Sequence, residues 1–142
     1  AIGDQSMYSL IGGTNNTAVG RLSMYKAVKA NDNVAVGINA IKNGTNVNGN
    51  VSVGWYSGQA MNTSSSCTVL GYYAASNIAT NIGNNNICIG HMSFIDQDAS
   101  DQISIGNTNL ESAIVTSNNS VAGATKKLAI KIGNNVYYAV VL

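Results

Sequence analysis

The sequence predicts an all-β chain: a parallel β-solenoid or β-roll of about 17-residue repeats, homotrimeric, with a C-terminal β-hairpin cap. Three observations carry this expectation. A glycine returns at Gly3, Gly20, Gly37, Gly54, Gly71, Gly90 and Gly106, in steps of 17, 17, 17, 17, 19 and 16 residues. Before each glycine stands an aliphatic residue (Ile2, Val19, Val36, Val53, Leu70, Ile89, Ile105), and two residues earlier a β-branched one (Thr17, Val34, Val51, Thr68, Ile87, Ile103). There is no proline among 142 residues, which suits a ladder that needs every backbone N–H.

Each repeat therefore holds a short strand with one apolar face. On the opposite face sit Ala18, Ala35, Ser52, Val69, Cys88 and Ser104, small enough for another backbone to come close. The glycine marks a sharp corner or a positive φ. Three residues beyond it the chain again selects small side chains (Ser6, Ser23, Ala40, Ser57, Ala74, Ser93). Stacked in register, such units place Asn16, Asn33, Asn50 and Asn86 in one column, where amides hydrogen-bond up and down the stack. A coil of this length encloses little interior and cannot bury its apolar face alone. Lateral packing of several chains, three around an axis, is the expectation.

Taken in order, residues 1 to 110 form the repeat domain. Residues 1 to 7 match 18 to 24, so the chain opens within a repeat and reads as a fragment of a longer fibre. Residues 8 to 17 and 25 to 34 are polar returns to the next rung. Residues 111 to 127 lack the repeat and read as a connecting segment. Residues 128 to 142 read as a hairpin: Leu128-Ala129-Ile130-Lys131-Ile132 alternates, Gly133-Asn134-Asn135 supplies a turn, and an apolar second strand follows. A solenoid end needs such a cap.

Charged residues make up 9% of the chain, well below the roughly 25% of ordinary domains. Asparagine takes their place, with 21 residues. A net charge of +1 gives no case for nucleic acid. No apolar run reaches the roughly 18 residues of a membrane span, so no membrane insertion is expected. Arg21, Lys26, Lys29 and Lys42 lie early, and residues 43 to 95 then contain no Asp, Glu, Lys or Arg.

Within that uncharged block the position after the glycine reads Trp55, Tyr72 and His91, followed by Tyr56, Tyr73 and Met92. Stacking aligns them as an aromatic strip along one edge. Aromatic faces framed by amides and hydroxyls suit sugar rings, and Trp55, Tyr56, Tyr72, Tyr73 and His91 are the candidate ligand contacts. The competing reading is packing at a chain interface. Asp96, Asp98 and Asp101 lack the glycine and distal glutamate of a calcium loop and read as a solvated turn. Cys67 and Cys88, in different columns, lack metal-ligand spacing. Glycoside hydrolysis generally needs two flanking carboxylates, and the uncharged block has none. His91 is the single histidine, and no nucleophile-base constellation is evident, so neither catalysis nor a cofactor or metal is expected.

The Asn-x-Ala-Val-Gly-x-x-Ala/Ser pattern, best seen from Asn16 to Ser23 and from Asn33 to Ala40, resembles the head repeats of trimeric autotransporter adhesins and similar repeats in bacteriophage tail fibres. The likeness covers about residues 1 to 110. The ending from Leu128 to Tyr138 is similar to the terminal strands of phage tail fibres and tailspikes. The resemblance implies a homotrimer that attaches to a bacterial surface glycan or outer-membrane protein as the receptor-binding or structural distal part of a virion's tail fibre. An adhesin head on a bacterial surface is the alternative, though no heptads of a coiled-coil stalk appear. A purely structural filament segment without ligand is the reading from another class.

Overall fold

The structure, a computed structural model, describes residues 1–76 and 81–106, and beyond them the backbone of three further strand segments. Six three-residue strands stack in sequence order as one parallel sheet: β1 (Thr17–Val19), β2 (Val34–Val36), β3 (Val51–Val53), β4 (Thr68–Leu70), β5 (Ile87–Ile89) and β6 (Ile103–Ile105). No helix occurs among the described residues. Thr17 pairs with Val34, Val34 with Val51 and Val51 with Thr68, so the register advances one repeat per rung. Thr68 still pairs with Ile87, and Ile87 with Ile103, across the 19- and 16-residue steps. Irregular spacing is therefore absorbed in the turns while the strand column is kept. The chain is a parallel β-solenoid.

The middle residue of every strand points inward and is buried, and the two outer residues are exposed or half-buried. That pattern explains the small column: Ala18, Ala35, Ser52, Val69, Cys88 and Ser104 face a narrow bore in which Val is the largest side chain from the strands. The opposite wall holds Ser23, Ala40, Ser57, Ala74 and Ser93. Ser23 Oγ donates to the Ala35 carbonyl at 3.0 Å and Ser57 Oγ to that of Val69 at 3.1 Å, so these hydroxyls are satisfied without water. Bulk is traded between neighbouring positions. Ile41 and Val47 occupy the space above Gly44, where an added Cβ would lie 2.6 Å from Ile41 Cγ2 and 3.0 Å from Val47 Cγ1. Met61 fills the space beside Gly58, with its sulfur 2.6 Å from where a Cβ on Gly58 would lie.

The expected amide ladder is present, and fully engaged at its centre. Asn33 Nδ2 donates to Asn16 Oδ1 at 2.9 Å and to the Val47 carbonyl at 2.8 Å. Its Oδ1 accepts from the backbone N–H and the Nδ2 of Asn50, both at 3.0 Å. Cys67 holds the next place in the column: its N–H donates to Asn50 Oδ1 at 2.9 Å, and its thiol faces the Gly83 carbonyl at 3.6 Å. Asn86 resumes the column, donating to the carbonyls of Ile82 and Ala99 and accepting from the Gln102 N–H at 2.8 Å.

The turn after each glycine adopts a conformation that its residue types do not announce. Leu22, Asn39, Tyr56, Tyr73 and Met92, two residues beyond the glycine, all have φ between 52° and 60°. Bulky residues rarely enter this region, at a cost of roughly 1–2 kcal/mol each. The compensation is a bond between rungs: the Leu22, Asn39, Tyr56, Tyr73 and Met92 N–H groups donate to the carbonyls of Asp4, Arg21, Ile38, Trp55 and Tyr72 at 2.9–3.0 Å. Met24 (φ 52°) and Ile41 (φ 49°) are held likewise by the Ala40 and Ser57 carbonyls.

The outer residues of the strands build a flat aliphatic face. Val34, Val51, Val53, Ile87, Ile103 and Ile105 are each 36–41% exposed there. Beyond β6, the segment expected as a connector contains β7 (Ile114–Val115), antiparallel to β6, and β8 (Lys127–Ile132) pairs antiparallel with β9 (Asn135–Val140). The expected hairpin turn at Gly133 and Asn134 and the capping contacts lie outside the described residues.

Two substitutions test this packing. Gly44→Ala is expected to lower the unfolding free energy by about 1–3 kcal/mol in urea titrations, because Ile41 and Val47 must move. Gly12→Ala, whose Cβ meets nothing within 4 Å, is the control and should change it by less than about 0.5 kcal/mol. Asn33→Ala removes four hydrogen bonds from a site without solvent and is expected to cost roughly 3 kcal/mol or more in the same titration.

Candidate functional site

Rung stacking brings all five candidate residues into one cluster. Trp55 and Tyr72, each the first residue after its glycine, stack with centroids 4.9 Å apart and 23° between planes. Tyr56 and Tyr73 stack behind them at 5.1 Å and 2°. The two columns meet edge to face, Trp55 against Tyr56 at 4.5 Å and 71° and against Tyr73 at 4.9 Å and 72°. His91 continues the outer column, 5.3 Å from Tyr72 and tilted by 40°. Ile38, 43% exposed, occupies the same column on the rung before Trp55.

This arrangement decides which parts of the rings meet solvent. In-register stacking points the ring faces along the coil axis, at one another, and the edges outward. The sequence expectation of sugars lying on open aromatic faces therefore needs adjustment: within the cluster each stacked pair covers the face a sugar would use. What projects outward are ring edges and polar tips. Trp55 is 36% and Tyr72 49% exposed, and among the described residues neither Trp55 Nε1 nor the Tyr72 hydroxyl has a protein hydrogen-bond partner. The inner pair, Tyr56 and Tyr73, is half-buried. Aromatic pairs of this geometry each stabilise by roughly 0.5–1.5 kcal/mol beyond area burial, so the cluster also braces rungs three to five.

Other singled-out residues fall away from this edge. Asp96 accepts from Gln102 Nε2 at 3.0 Å, Asp98 from Gln97 Nε2 at 3.4 Å and Asp101 from Asn85 Nδ2 at 3.1 Å, so each carboxylate has its own amide partner. Both cysteines are buried free thiols, and burial pushes both above the ordinary thiol range, which keeps them protonated at neutral pH. Two features escaped the sequence reading. Tyr8 and Tyr25 form another stacked pair at 5.5 Å and 17°, and Asn31 and Asn48 bond side chain to side chain at 2.9 Å on a different side of the coil. Each pair is one 17-residue step apart, and that spacing was the available signal.

Comparison with models of known families, with curated proteins and with solved structures found no match to this chain.

Proposed function

We propose that this chain is an attachment segment of a trimeric fibre, the distal part of a phage tail fibre, which engages a bacterial surface glycan or outer-membrane protein. The carrying observation is the exposed aromatic cluster whose Trp55 and Tyr72 tips have no hydrogen-bond partner among the described residues, set in a stretch free of charge from residue 43 to 95. Ring edges carry the positive rim of the aromatic quadrupole, and indole N–H and phenol O–H are donors. Such an edge suits the oxygen-rich periphery of a glycan or of exposed backbone. The contacts are individually weak, and three copies on one fibre multiply them.

The trimer in this reading is held through the flat aliphatic face. Contiguous exposed apolar surface of this kind is uncommon on monomers and marks an association surface. It is separate from the aromatic columns, which begin only after the glycine corner, so both can act in one assembly. An adhesin head of a bacterial surface protein would use the same two surfaces.

A structural filament segment without ligand remains the second reading, favoured by one observation: the ring faces are already occupied by one another. Tyr72→Phe and Trp55→Phe separate the two, since both retain a stacking ring and remove the outward donor. Attachment predicts that adsorption of labelled protein to host cells weakens about fivefold per lost hydrogen bond, with the thermal midpoint nearly unmoved. Adsorption equal to that of the parent chain would favour the filament.

A further inference from the structure

An open groove of about 610 Å³ lies on the side of the coil that carries the Asn31–Asn48 pair, lined by Val28, Lys29 and Asn31 on one rung and Thr45, Asn46 and Asn48 on the next. The two sets are one repeat apart, so the groove is made by stacking itself, and its size is that of a small-ligand site. Its hydrogen-bonding groups are not neutral in direction. Asn31 Oδ1 accepts from the Thr14 N–H at 3.1 Å and the Thr14 hydroxyl at 3.4 Å, while Asn31 Nδ2 donates to Asn48 Oδ1 at 2.9 Å. Asn48 thus ends a polarised chain, with its acceptor engaged and its Nδ2 without a protein partner among the described residues. Thr45 Oγ1 donates to Asn62 Oδ1 at 2.7 Å, which commits its proton and leaves its oxygen able to accept.

The charge in the groove is also uncompensated. Among the described residues the ion pair is Arg21 with Asp4 at 3.4 Å, and Lys29 has no acidic partner. No lining residue is acidic. Asp32, next to Asn31 in sequence, is held by Asn15 Nδ2 of the rung below at 2.8 Å. One ammonium without an acidic partner, beside the amides of Asn46 and Asn48, calls for a ligand with a single negative charge and several acceptor oxygens.

We propose that this groove binds a carboxylate-bearing sugar residue, with the carboxylate on Lys29 Nζ and Asn48 Nδ2, ring hydroxyls on Asn46 and Thr45, and an apolar sugar face on Val28. The choice of a sugar rests on the attachment reading, whereas the requirement for a carboxylate comes from the groove alone. Calorimetric titration of the full chain with trigalacturonate, neutral galactotriose and inorganic phosphate tests it without any adsorption to cells, and so reports on the groove whatever becomes of the aromatic edge. Saturable binding of trigalacturonate is expected, weakened at least about fivefold by Lys29→Gln or Asn48→Ala and weakened by salt, with Lys26→Gln as the control that binds as the parent does. Equal binding of galactotriose, equally strong binding of phosphate, parental affinity in Lys29→Gln, or no saturable binding would each overturn it.

Discussion

The whole molecule depends on how closely successive turns approach at the glycine column. A Cβ on Gly37 would stand 2.3 Å from the Gly54 carbonyl oxygen, and one on Gly54 equally close to that of Gly71. Both glycines have φ near 135°, a region other residues avoid. This contact sets the distance between rungs, and everything else is made at that distance: the parallel strand pairs, the amide column and the ring stacks. The coil is a backbone construction first and a hydrophobic one second. Its bore accepts little beyond Ala, Ser, Cys and Val on the strand side, so interior burial alone gives it a thin core.

A thin core shifts stabilisation into repeated polar bonds between rungs. The Asn column satisfies buried N–H and C=O groups of the turns, and the left-handed residues beyond each glycine are held by inter-rung bonds despite unfavourable propensity. Cys67 shows how one rung departs from this scheme: the thiol occupies an amide's place, still receives the chain through its own N–H, and stands beside the two-residue expansion that ends at Gly90.

The period, the strands and their parity were legible in the sequence because in-register stacking writes each structural column as a residue column. The Asn ladder was legible for the same reason. The left-handed turn was not: Leu22, Tyr56, Tyr73 and Met92 show no common residue type, since the backbone bond to the previous rung, rather than the side chain, sets φ. That the five aromatic-edge residues lie together was legible from their spacing, yet the orientation of their rings was not. Identity at a 17-residue spacing places rings beside each other but does not say that their faces turn along the axis. The Lys29 groove was missed because its lining mixes Val with Thr and Lys with Asn at equivalent places, so no column stands out.

Function in this account follows from a division of surfaces. In the proposed reading the aliphatic strand face joins copies, while the aromatic edge and the amide groove stay available to the cell surface. The most direct test is the solution mass of the chain by light scattering, alone and with Val36→Lys and Val53→Lys together. The account predicts about three times the 14.7 kDa chain mass for the parent and loss of that assembly in the double variant. A folded parent at 14.7 kDa would contradict it, leaving the aliphatic face open to water and the fibre reading without its joint.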